Sequence, residues 1–444
     1  MVALLVLVFL TGGSARDDIL SLAILRPLSV LFFTAAVVLA WGTGMLRNYR
    51  ILLVLAFALP ALALLHLIPL PPALWSSLPG RELAWNVAEA TGLAQPWRPL
   101  SLVPWRTWNS FWASFAPLAA LLLTLCAGRE RLHVLVLLLG GIIIVSGLVG
   151  LLQIIGAPGN AFYIYRVTNE DAAVGLLANR NHQAMLLTLA FPIFAAAASV
   201  QRGSRESAKP RRQFAIAMSI LIIPFILVTG SRAGILLSIV GMATALFVYQ
   251  DPTAYTQARR QAPRLGLRIA VVGGLIAAMV ITTALVARSS SFTRLFKDAQ
   301  ATELRFNILQ PLLDLVAQYF PFGSGLGTFV EVYKVVEPDR LLSPRYLNHA
   351  HNDWLELLIT AGLPGAILIG AAAWFLGRAF VRVVRDQNKR PSFEHVTARL
   401  GAAIVLILAI GSVYDYPLRT PSLACLFAVA VAWLSGWRPD AERA

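Results

Sequence analysis

"VLVLLLGGIIIVSGLVGLLQIIG", residues 134–156, contains no charged side chain. As a helix rising ~1.5 Å per residue, it is long enough to cross the ~30 Å hydrocarbon layer of a bilayer. Comparable runs recur on both sides. Together they predict spans near 2–12, 19–45, 51–69, 110–127, 134–156, 184–200, 214–229, 233–249, 268–287, 357–377, 400–415 and 421–436. Lipid gives backbone N–H and C=O groups no outside partner, so each run is read as a helix. The runs are continuous rather than alternating, which argues against a β-barrel. With 58% hydrophobic and 13% charged residues in 444, a soluble globular protein is excluded. The fold class expected is all-α, a polytopic helical membrane protein of about 12 transmembrane helices. The first run lacks a basic leader and a small-residue cleavage site, so it reads as a short first helix rather than a signal peptide. Cys126 and Cys425 both sit in apolar runs and supply neither a disulfide framework nor a cysteine-rich metal site.

Lys and Arg alternate between the connecting loops. One set of loops holds Arg47 and Arg50; Arg129 and Arg131; Arg202, Arg205, Lys209, Arg211 and Arg212; Arg259, Arg260 and Arg264; and Arg378, Arg382, Arg385, Lys389 and Arg390. The positive-inside rule places these loops and both termini in the cytoplasm. The long segments 70–109, 157–183 and 288–356 then face outward. Four regions follow: N-terminal helices with their outer loop (1–133), a helical core (134–287), an outer loop with amphipathic helices (288–356) and C-terminal helices (357–444). Orientation accounts for the basic loops behind the net charge of +15, so no nucleic-acid partner is inferred.

Arginines remain on the outer face where orientation does not call for them: Arg166, Arg180, Arg232, Arg288, Arg294, Arg305, Arg340, Arg345 and Arg419. The planar fork of arginine binds phosphate oxygens in pairs and stays charged at any working pH, which points to a phosphorylated ligand at the membrane surface. Arg232 lies in "LVTGSRAGILL", where a tight turn puts it at a helix start whose N–H groups also favour an anion; the alternative is an arginine snorkelling to headgroups. Arg305 lies in "ATELRFNILQPLLDLVAQYFPFGSGLGTF". There Leu304, Ile308, Leu309, Leu312 and Leu315 suggest an amphipathic helix on the membrane surface, of which Arg305 is either a ligand-binding residue or the solvated face. In "GLLANRNHQAMLL", Asn179, Arg180, Asn181 and His182 offer donors to sugar or phosphate, although helix capping explains the asparagines equally well. Gly323, Gly325 and Gly327 read as a tight turn, with a phosphate-binding nest as the alternative. Trp75, Trp85, Trp97, Trp105, Trp108 and Trp112 fall in or beside 70–109. They read as an interfacial aromatic belt, or as platforms for sugar stacking.

"NHAHNDWLELLITAGLPG", residues 348–365, gathers ionisable groups beside a span. His349, His351, Asp353 and Glu356 are metal-ligand types, but the two histidines are two apart and no HExxH pattern occurs, so metal stays the minority reading. A neutral histidine near arginines is suited to take a proton from an incoming hydroxyl. Such a base and several arginines fit displacement of a lipid diphosphate by a hydroxyl, with no metal or other cofactor.

The chain resembles the bacterial O-antigen ligases and the related polysaccharide polymerases. The resemblance rests on His351-Asn352, nine residues and Gly362-Leu363-Pro364-Gly365, on "GSRAG" at 230–234, and on "GSGLGTF". It implies a glycosyltransferase of the all-helical C type (GT-C) in the bacterial inner membrane, with a periplasmic active face. His351 would be the base. Arg232 and Arg305, with Arg180, would hold the diphosphate of an undecaprenyl-linked glycan, and attack would invert the anomeric carbon. His349, Asn352 and Asn181 would support the site. The acceptor would be lipid A-core for a ligase or another lipid-linked glycan for a polymerase. A flippase remains an alternative outside this class, although neither charges distributed through the spans nor an internal repeat speaks for it.

Overall fold

A computed structural model describes residues 1–93, 95–127, 132–199, 208–250, 274, 299–342, 346–385 and 392–436. The chain is all-α. Its only pairing between described strands is the two-residue ribbon of Pro69–Leu70 with Arg98–Pro99. Seven helices are long and apolar enough to cross a membrane: Leu22–Ala40, Pro104–Cys126, Leu132–Ile155, Arg180–Ala198, Lys209–Val228, Asp353–Arg385 and Phe393–Tyr414. Four shorter apolar helices, Val2–Thr11, Arg50–His66, Arg232–Val248 and Pro421–Gly436, account for four further expected spans. Hydropathy reports apolarity and not helix length, which is why it counts runs of 10–17 residues together with true spans. The expected span 268–287 lies outside the described residues, apart from Gly274.

The main core joins Pro421–Gly436 to Phe393–Tyr414 and to Phe115–Cys126, with Leu423, Leu426, Ile404, Ile407 and Leu122 fully buried among them. Glycines allow close approach. A Cβ on Gly401 would meet the Ala430 carbonyl oxygen at 2.4 Å. This packing brings the C-terminal end of Phe393–Tyr414 beside the N-terminal ends of Arg180–Thr188 and Asp353–Arg385.

The stripe Ile308, Leu312, Leu315 and Tyr319 of helix Ala299–Tyr319 is buried against Phe329, Tyr333 and Ile359, whereas Leu309 is exposed. Protein therefore covers this stripe, while Leu309 and Leu313 leave a second apolar face open. The glycine turn that follows also has a defined role. Gly362 breaks the signature helix at φ 56°, ψ −138°, and the freed carbonyls of Ile359 and Thr360 accept hydrogen bonds from Ser324 N (3.0 Å) and Gly325 N (2.9 Å). Leu363 N donates back to the Pro321 carbonyl at 2.7 Å. These amides are consumed, so the phosphate-nest alternative fails and the tight turn stands.

Arg81 fastens the segment 70–109 to this turn. Its buried guanidinium donates to the carbonyls of Pro79 (2.9 Å), Leu100 (2.7 Å) and Gly323 (3.0 Å). Burial pulls its pKa down to about 10, which still leaves it charged at neutral pH. Trp75 is buried and donates to the Pro99 carbonyl, whereas Trp97, Trp105, Trp108 and Trp112 are exposed.

Candidate active site

His351 has φ +49°, and no other described non-glycine residue has a positive φ. Such a conformation costs of order 1–3 kcal/mol and needs support from both flanks. On one side Ala350 N donates to Glu356 Oε2 at 3.0 Å. On the other, Asn352 Oδ1 accepts from Trp354 N and Leu355 N at 3.0 Å and so caps the signature helix, while its Nδ2 donates to the Val413 carbonyl at 2.8 Å. The signature is thus a histidine, its helix cap and, beyond the nine-residue gap, the glycine break.

His351 Nδ1 lies 3.4 Å from Oδ1 of Asp415, the residue that ends helix Phe393–Tyr414. Asp415 is fully buried. Burial pushes its carboxyl up, but the adjacent imidazoles of His182 and His351 outweigh this and hold it well below the usual carboxylate range. An ionised carboxylate only accepts, so of the two neutral tautomers of the partly exposed imidazole it favours the one with the proton on Nδ1, in which Nε2 is the acceptor. Asn181 Nδ2 donates to Asp415 Oδ2 at 2.7 Å, Ser231 Oγ donates to Asn181 Oδ1 at 2.8 Å, and Gly234 N donates to Ser231 Oγ at 3.0 Å. Hydrogen bonds therefore run from Asp415 to the N-terminal turn of helix Arg232–Val248, and His351 lies within ion-pair range of their origin. His182 Nε2 approaches Asp415 at 3.5 Å while its Nδ1 meets Thr420 Oγ1 at 2.9 Å. The buried ring of Tyr416 packs against His349, His182 and His351, with centroids at 4.5, 4.9 and 5.0 Å.

A second network carries the other acids. Asp353 accepts from Ser412 Oγ (2.9 Å), Leu418 N (3.1 Å) and Arg419 Nε (3.2 Å). Glu356 accepts from His349 Nδ1 at 3.1 Å and lies 3.5 Å from Arg419 Nε. The four residues of the metal alternative thus divide between two networks, His351 facing Asp415 while Asp353, Glu356 and His349 surround Arg419 and Tyr416. Among the described residues no group of three or more His, Cys, Asp and Glu is arranged to hold a metal ion. Arg419, one of the arginines expected on the outer face, is committed to two carboxylates.

Arg180 and Arg232 each occupy the first position of a helix whose preceding residue is a side-chain cap, Asn179 and Ser231. A Cβ built on Gly230, at φ +65°, would lie 3.9 Å from Arg180 Nη1, so both arginines flank one turn. Arg232 is exposed and Arg180 half-buried. The backbone of Arg305 belongs to helix Ala299–Tyr319; its side chain, and residues Arg288, Arg294 and Arg345, lie outside the described part. Sequence reasoning did not find Asp415 or Tyr416. The available signal was the lone acid in "SVYDYP", which ends an apolar run.

No curated protein matches the chain. Residues 217–370 match the family model described as O-Antigen ligase, a segment that includes Arg232, Arg305 and the whole His351–Gly365 signature but neither Asn181 nor Asp415. Over those residues, this multi-pass helical membrane protein is similar to the O-antigen ligase family.

Proposed function

We propose that the chain is a glycosyltransferase that transfers a glycan from an undecaprenyl-diphosphate donor to a hydroxyl of lipid A-core. The observation that carries the reading is the approach of His351 to Asp415, which is hydrogen-bonded through Asn181 and Ser231 to the Arg232 turn. In this reading, a proton acceptor stands near two arginines whose forks suit a diphosphate. In the reaction, His351 Nε2 takes the acceptor hydroxyl proton as the oxygen attacks the anomeric carbon. The bond from that carbon to the diphosphate oxygen breaks, and its electron pair leaves with undecaprenyl diphosphate. Arg180 and Arg232, with Arg305, hold the diphosphate and stabilise the charge that grows on it. Attack opposite the leaving group inverts the anomeric centre. Asp415 keeps His351 in the accepting tautomer and stabilises the imidazolium that forms. No step requires a metal or other cofactor. A GT-C-type architecture in the bacterial inner membrane, with a periplasmic site and cytoplasmic termini, agrees with the basic loops and with the lipid-linked donor.

The test is incubation of purified protein with an undecaprenyl-diphosphate glycan, with and without lipid A-core. Glycan transfer that requires lipid A-core and is lost in His351→Ala supports the proposal. Elongated lipid-linked glycan formed without lipid A-core would make the enzyme a polymerase, and full turnover by His351→Ala would remove the base.

A further inference from the structure

We infer that the end of the bundle opposite His351 binds the headgroup of an anionic phospholipid. The signature helix begins beside His351 at Asp353 and reaches Arg378 some 25 residues later, a path of about 40 Å, or one membrane thickness. There a cavity of about 1220 Å³ opens between this helix and the start of Arg50–His66. Arg47 and Arg50 line one wall and Arg378, Arg382 and Arg385 the other, and no carboxylate lines the cavity among the described residues.

Charge in cytoplasmic loops explains the presence of basic residues but not their convergence. Arg378, Arg382 and Arg385 follow one another at i, i+4 and i+7, so they share a helix face where like charges destabilise one another. Arg382 and Arg385 complement the C-terminal end of their helix dipole. Arg50 is at the first position of its helix, where the dipole disfavours a cation, and Tyr49 gives that end no side-chain cap. A bound anion eases both conflicts, because its negative charge offsets part of the repulsion among the five guanidinium groups and favours the N-terminal end of the helix dipole.

The walls identify the anion as part of an amphiphile. Trp374, with Arg378 over its ring at 5.1 Å, is 61% exposed, and the exposed apolar side chains of Ile51 and Val381 continue the cavity along the lipid-facing sides of both helices. A phosphodiester among the arginines with acyl chains along these sides satisfies both parts of the surface.

The inference does not depend on the reaction at His351, and its test measures no turnover. Purified full-length protein is mixed with cardiolipin or phosphatidylcholine, and retained lipid is counted by native mass spectrometry. Cardiolipin should be retained and phosphatidylcholine not. Retention should fall about tenfold or more in Arg378→Gln/Arg382→Gln and, from the opposite wall, in Arg47→Gln/Arg50→Gln, given a contribution of about 1 kcal/mol per arginine. Arg211→Gln/Arg212→Gln, which removes equal charge outside the cavity, should retain cardiolipin as the unaltered protein does. An equal loss in that control would overturn the proposal in favour of diffuse attraction. Complete displacement by millimolar inorganic pyrophosphate would overturn it in favour of a soluble phosphate ligand. Monodisperse elution and unchanged melting qualify each variant, and Trp374→Leu, which keeps all five charges but removes the ring beside Arg378, should weaken retention.

Discussion

His351 Nδ1 and Asp415 Oδ1 are 3.4 Å apart, although one residue precedes the signature helix and the other ends the next. Asp415→Asn presents an amide in place of a carboxylate, so the imidazole loses the partner that favours its accepting tautomer and stabilises its charged form. Turnover should fall by about a hundredfold or more with little change in donor KM, as expected for a group that assists proton transfer without touching the donor. A proportionate rise in KM with turnover unchanged would instead place Asp415 in substrate binding.

The same carboxyl sets a pH dependence of stability. Its folded pKa is depressed, so its stabilisation is fully present above the ordinary carboxylate value of ~3.9 and is lost as pH falls towards the folded value. Between pH 5 and 9 it should contribute no slope. Melting temperature followed down to pH 3 should show an acid loss that is smaller in Asp415→Asn, measured relative to that variant's own neutral value.

Gly362 and Gly370 lie in the same helix and should respond oppositely to alanine. At Gly362, φ is +56° and a Cβ would come within 2.2 Å of the Pro321 carbonyl oxygen; at Gly370 nothing lies within 4 Å. Gly362→Ala should destabilise by ~2 kcal/mol or more, because it opposes both the backbone and the turn packed against it. Gly370→Ala should be neutral or stabilise by up to ~1 kcal/mol through helix propensity. Thermal unfolding in detergent measures both, and equal melting of the two variants would mean that the kink is not fixed by this contact.

How much of this was legible follows from the range of the interactions. The apolar runs and the GSRAG turn declare themselves within a few residues, and so does the cap at Asn352 once the break at Gly362 is noticed. Asp415 needed the packing of two helix ends, which no local pattern encodes. The glycine nest failed for a similar reason, because whether the amides of Ser324 and Gly325 are available depends on carbonyls released at Ile359 and Thr360. The stripe from Ile308 to Tyr319 was visible as apolar, but apolarity does not distinguish a lipid surface from a protein one.

Orientation is tested by single cysteines in a Cys126→Ser background, since Cys425 is buried. Lys209→Cys, exposed at the start of an expected cytoplasmic helix end, should resist a membrane-impermeant thiol reagent in intact cells. Asp339→Cys, exposed in the outer loop, should react. The reverse labelling would turn the His351 site inward and remove the periplasmic donor reading.

Arg180 and Arg232 separate phosphate recognition from metal chemistry. If the two side chains that flank the Gly230 turn hold a diphosphate, lysine at either position keeps the charge but presents one ammonium where a planar fork made paired hydrogen bonds. Arg232→Lys and Arg180→Lys should each lower turnover by about tenfold to a hundredfold, as loss of one charge-assisted hydrogen bond would. EDTA should leave the unaltered enzyme active. A metal acting as the Lewis acid would produce the opposite pattern, with arrest by chelator, rescue by added divalent ion, and tolerance of lysine wherever only a positive charge is needed. Parallel assays of both variants and of the chelated enzyme therefore decide the matter, and chelator-sensitive turnover with fully active lysine variants would transfer the charge stabilisation from arginine to a metal ion.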